Sequence, residues 1–178
     1  MPAHRPLCGL PRSFPLALPL ALTLALPLSA PAEARVGQPL AVAAAHARRA
    51  RVPSATFAVR DGVVMLEIWR SYVGDDHRRG PSWTAAQAKA MRRALAGGQV
   101  PVREAIEPVS WASFPVPRFH YGDGTTLVYV NRARAPRTWM IVAGGRWAWE
   151  TPFQYVELAC EGWSLVGGKL TRRKTASW

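Results

Sequence analysis

The chain has 178 residues, 23 of them lysine or arginine against 11 aspartate or glutamate, for a formal net charge of +12, and it carries two cysteines. That length fits one domain and one core, and two cysteines exclude a disulfide framework. The charge points toward anionic partners, whether phospholipid headgroups, acidic envelope polymers or nucleic acid, although arginine outnumbers lysine 20 to 3 in an alanine-rich chain, a bias that GC-rich coding alone produces.

Residues 1–34 read as a cleavable export signal. His4, Arg5 and Arg12 precede the apolar run "PLALPLALTLALPLSA", and "AEA" at Ala32 to Ala34 supplies small residues for cleavage. Leu16 to Leu28 is too short for a spanning helix, which needs roughly 20 apolar residues. Cys8 leaves with the signal, so Cys160 remains without an internal partner. A periplasmic or secreted location follows as an expectation, and export argues against a genomic nucleic-acid role.

Residues 35–54 form an alanine-rich helix beginning near Pro39, or else a flexible arm with His46, Arg48, Arg49 and Arg51 in solvent. Residues 55–170 form a single strand-rich domain. In "ATFAVRDGVVMLEIWRSYV" a two-residue turn at Asp61-Gly62 pairs Val59 with Val64 and Phe57 with Leu66, and puts Glu67 on the wetter face. A loop rich in ionisable groups follows, with Asp75, Asp76 and His77 as ligand-binding candidates, because adjacent carboxylates beside an imidazole suit hard cations or acid-base work. The same composition also describes a solvated loop.

"TAAQAKAMRRALAGG" predicts a helix from Ala85 to Ala96, with a Thr84/Gln87 capping box and a stop at Gly97-Gly98. Ala88, Met91 and Leu95 form its apolar stripe, while Lys89, Arg92 and Arg93 face outward. The prolines between Pro101 and Pro117 argue for an extended edge segment.

A turn at Asp123-Gly124 pairs Phe119 with Val128 and projects Arg118, His120, Tyr129 and Asn131 from one mixed face. If Trp139 joins that face from the next strand, the patch is basic and aromatic, a seat for an acidic sugar or nucleotide. Gly144-Gly145 serves as a third turn, which pairs Met140 with Trp149 and Val142 with Trp147 in the core and leaves Trp139 opposite Glu150. Glu161-Gly162 serves as a fourth, which pairs Cys160 with Trp163 and buries the thiol. Residues 171–178 make a basic mobile tail.

Four hairpins give about eight antiparallel strands with one helix after the second strand, an α+β layer; a closed up-and-down barrel is the alternative. No nucleophile elbow, zinc helix, phosphate loop or paired-cysteine spacing is present, so no catalytic residue, metal or cofactor is expected. The functional expectation is an exported, non-enzymatic binding module with a basic surface for an anionic envelope polymer, a lipid surface or a protein partner. The alternative is a small exported hydrolase using His120 or His77 with Asp123 or Asp76.

Overall fold

The computed structural model describes residues 36–73, 83–109, 114–132 and 138–174. The expected signal and cleavage site, the segment holding Asp75, Asp76 and His77, and the end of the expected tail lie outside the described residues.

In chain order the elements are helix α1 (Leu40–Arg49), strands β1 (Ser54–Arg60) and β2 (Val63–Arg70), helix α2 (Ala85–Leu95), strands β3 (Arg103–Glu107), β4 (Val116–His120), β5 (Thr126–Arg132) and β6 (Thr138–Gly144), helices α3 (Arg146–Glu150) and α4 (Phe153–Ala159), and strands β7 (Glu161–Val166) and β8 (Lys169–Arg172). The eight strands form one open antiparallel sheet in the order β3-β4-β5-β6-β2-β1-β7-β8. The protein is therefore α+β with an unclosed sheet, not a barrel. Among the described residues no helix is long and apolar enough to cross a membrane.

Helices cover both faces. On the first face α1 and α2 bury Ala43, Ala44, Ala47, Ala88 and Leu95 against Phe57, Trp69, Leu127 and Ile141. On the second, α3 and α4 bury Ala148 and Val156 against Ala58, Leu66, Ile68, Val128 and Val142. Large apolar side chains such as Phe57 and Trp69, fully enclosed, each contribute about 1.5–3 kcal/mol by leaving water. The alanine-rich N-terminal segment is a helix here because a row of methyl groups lets it lie close against the sheet.

The turn at Asp61-Gly62 forms as its sequence demands, with both residues at positive φ and Arg60 opposite Val63. Beyond it the register departs from simple alternation. Val59 pairs with Val64, but Ala58 pairs with Leu66 and Phe57 with Glu67, so Met65 is the extra residue of a bulge, which re-aims everything after it. The expected Phe57–Leu66 pair is thus corrected, and Glu67 moves from the wet face into the core, where it is 0% exposed.

Helix α2 begins with the expected capping box, Gln87 N–H donating to the Thr84 hydroxyl at 3.2 Å and Thr84 N–H to the Gln87 side-chain Oε1 at 2.8 Å, and the chain leaves it at Gly97 and Gly98, both at positive φ. Arg92 does not face outward. It is buried, donates to the Tyr121 hydroxyl at 2.8 Å and lies 3.9 Å from the Phe119 ring centre. A long side chain can sink its stem against the sheet and find both an acceptor and an aromatic face there.

Two expected hairpins do not exist. Gly144 and Gly145 have no positive φ; Gly145 is the extended residue that starts α3, so "WAW" lies in a helix and not a strand. A methyl group on Gly144 would stand 2.9 Å from Leu66 Cδ1 and 3.1 Å from the Trp149 indole. That glycine serves close packing, and the indole Nε1 donates to its carbonyl oxygen at 2.7 Å. Trp147 and Trp149 are half-buried at the edge of the second core.

Glu161-Gly162 is likewise no turn. Residues 153–159 are helical, Leu158 is exposed, and β7 begins at Glu161. The turn falls at Gly167-Gly168, both at positive φ, which closes Val166 onto Lys169. Cys160 is accordingly half-buried, not enclosed in the core, and Trp163 pairs with Phe57 and Arg172.

Candidate functional site

The turn at Asp123-Gly124 decides what the sheet displays. Three residues, Gly122, Asp123 and Gly124, are spanned by Tyr121 N–H donating to the Thr125 carbonyl at 3.1 Å, while Thr125 N–H donates to Asp123 Oδ1 at 2.9 Å and Gly124 takes positive φ. The longer loop slips the register by one residue, so Arg118 pairs with Val128, Phe119 with Leu127 and His120 with Thr126. In a strand, one residue of slip exchanges the faces.

As a result the expected patch divides. Arg118 and His120 lie on the second face. Tyr129 and Trp139 lie on the first, stacked on each other with ring centres 5.1 Å apart. Trp139 is 5% exposed and is part of the core, not a platform. Asn131 sits in β5 opposite Trp139.

What joins Arg118 and His120 is the edge strand. Arg103 pairs with His120 and Ala105 with Arg118, so alternation puts Arg103, Ala105 and Glu107 on the same face as the two β4 side chains. The small Ala105 leaves a gap across which Arg103 and Glu107 meet. Glu107 Oε1 accepts from Arg103 Nη2 at 2.6 Å, and Glu107 Oε2 accepts from Arg118 Nη1 at 2.9 Å, with His120 Nε2 3.4 Å away. Arg103 Nη2 also lies 2.9 Å from His120 Nε2, and the Arg118 guanidinium stands 5.4 Å from the Trp149 ring centre.

Partial burial works to raise the Glu107 pKa, but the charges of Arg118, Arg103 and His120 and the hydrogen bond from Arg103 outweigh it and hold the carboxyl below its ordinary value. Arg118 is only 18% exposed in its side chain. Its Nε is buried and has no hydrogen-bond partner among the described residues. The cluster thus sets two guanidiniums and an imidazole around one carboxylate.

Sequence reasoning found Arg118 and His120 but missed Arg103, Glu107 and Trp149. The pattern "REAIE" carried a signal, opposite charges four apart with alanine midway, but the surrounding prolines drew the attention. The exposed basic side chains of α2 do not join the cluster. Lys89 and Arg93 are exposed on α2, over the first face, while Arg118 looks out from the second.

A second ionisable feature lies beneath α1. Glu67 Oε1 accepts from Trp69 Nε1 at 2.5 Å, Glu67 Oε2 has no partner among the described residues, and the His46 ring lies 5.2 Å from the Trp69 ring. Burial pushes the Glu67 carboxyl up to about 8, against the smaller opposing effect of the Trp69 hydrogen bond. Burial thus favours the protonated form, and the group faces core, not solvent. Among the described residues no set of three or more histidine, cysteine, aspartate or glutamate side chains gathers to hold a metal.

Compared with protein-family models, with curated proteins and with solved structures, the chain has no match. Its class rests on its own architecture, an open eight-stranded antiparallel sheet with helices on both faces and an arginine-rich cradle at the β3 edge.

Proposed function

We propose that this protein is an exported, non-enzymatic binding module that takes an anionic group of an envelope polymer into the cradle of Arg103, Arg118 and His120. The observation that carries the reading is the imbalance of the cluster: two permanent cations and an imidazole converge on a single carboxylate. Guanidinium forks match carboxylate and phosphate oxygens, and the pair of strands that bears them is fixed by its ladder before any ligand arrives.

Two groups in the cradle are accessible, with Arg103 58% and His120 23% exposed in their side chains. Attraction at that surface is screened over about 8 Å at physiological ionic strength. Binding of an acidic polysaccharide, followed by calorimetry, is expected to weaken at least tenfold between about 20 mM and about 300 mM salt. It is expected to disappear in Arg118→Ala while Lys89→Ala, on the other face, binds normally. Equal losses in the two variants would show that the charge acts diffusely and that the cradle is not the site.

A further inference from the structure

We infer that Glu107 occupies the seat of a ligand carboxylate, so that the cradle is a carboxylate-binding site kept closed by the chain's own edge strand. The inference rests on the anion-binding reading above and adds to it the ligand's chemistry and a built-in competitor.

Both oxygens of Glu107 are engaged by separate donors: Arg103 Nη2 at 2.6 Å from Oε1, and Arg118 Nη1 at 2.9 Å from Oε2. A planar two-oxygen anion is therefore what these donors are spaced to receive. Yet Glu107 is an imperfect occupant. It meets Arg118 through Nη1, while Arg118 Nε is buried and donates to nothing among the described residues. A carboxylate approaching from outside the strand can take Nε and Nη together, the paired geometry that makes guanidinium–carboxylate contacts strong.

The competitor is placed to yield. Glu107 is the last residue of β3, Pro108 follows it, and among the described residues β3 is bound in the sheet only through β4. Withdrawing one side chain there disturbs no central ladder. While Glu107 is seated, the open cradle is a minor state, and apparent affinity falls in proportion to the fraction that is open.

Calorimetry of the full chain with an oligogalacturonate, in parallel with glycerol 3-phosphate, tests the inference on wild type and Glu107→Gln. The amide keeps the size of the side chain and removes its charge. The expected result is oligogalacturonate binding about tenfold tighter in Glu107→Gln, as for a cradle about nine-tenths closed in the wild type, with glycerol 3-phosphate weaker in both. Wild-type binding that is unchanged or weakened by the substitution overturns the competitor while leaving the anion site standing. Failure of both proteins to bind either probe overturns both. Preference for glycerol 3-phosphate overturns the carboxylate assignment. If Glu107→Gln loses its cooperative thermal transition, Glu107→Asp, one methylene shorter, carries the same expectation of tightened binding.

Discussion

Substituting Glu67 by glutamine should remove most of the protein's stability change between pH 5 and pH 8. The wild-type carboxyl is enclosed and ionises at about 8 in the folded chain, against an ordinary 4.5. Because the folded value is the higher one, the folded state holds a proton that the unfolded chain releases. The stabilisation is fully present below pH 4.5, declines as pH rises, and is lost by the time pH passes about 8. At about 1.4 kcal/mol per pH unit the whole decline is at most about 5 kcal/mol, or roughly 10–20 °C in melting temperature for a domain of this size.

Glutamine has nearly the same shape, can still accept from Trp69 Nε1 and never ionises. Thermal or urea unfolding of both proteins at pH 5, 7 and 9 checks this. Groups common to both, including His46 against the Trp69 ring, cancel in the difference between the two curves. The variant should start about 1 kcal/mol below wild type at pH 5, since its amide N–H bonds go unmet, and should overtake it by pH 9. Wild-type stability that is flat or rising over that range, or a glutamine curve parallel to it, would show that Glu67 is reached by water.

Substitutions at two other positions probe the packing on either side of the sheet. Arg92→Ala, which leaves the Tyr121 hydroxyl and the Phe119 face without their buried partner, should cost about 2–4 kcal/mol in denaturation midpoint measurements. Arg92→Lys should recover less than half of that, because an ammonium does not cover a ring as a planar guanidinium does. Gly144→Ala should cost about 1–3 kcal/mol by pushing on Leu66 and the Trp149 indole, with a change in tryptophan emission; an unchanged spectrum and midpoint would mean that α3 sits elsewhere.

The fold class was legible because hydrophobic alternation and turn chemistry act locally. Asp61-Gly62 and the Thr84/Gln87 box each form from residues a few positions apart, and each appears as expected. Face assignments were less legible, since one residue of register decides them and that residue is set by contacts far along the chain. Met65 bulges where β2 lies between β1 and β6, and the three-residue loop at Asp123 needs Thr125 to close it. Two of the Gly-Gly pairs make the same point. Gly167-Gly168 turns the chain, while Gly144-Gly145 does not, because Leu66 and Trp149 crowd the first glycine in a way visible only in three dimensions. The cradle was half legible. Arg118 and His120 stood out as polar residues in a strand, but their partners came from a segment whose prolines concealed five residues of regular pairing.

The position of β1 and β2 in the sheet has a consequence for how the chain acquires its structure. This hairpin is the first to leave the ribosome, yet it ends at the sheet's centre, flanked by β6 and β7 from the far end of the chain. Ser54 to Val59 must wait for residues 161–166, and Leu66 to Arg70 for residues 140–144. Such distant pairing folds slowly, because long loops close before their contacts repay them. Until β6 is synthesised the hairpin has two bare edges, and until β7 follows it still has one, the condition in which nascent sheets associate with one another. A chain of this topology therefore gains from remaining extended, or held by a chaperone, until its last third is complete. That requirement is the same one that passage through a translocation pore in an unfolded state would meet.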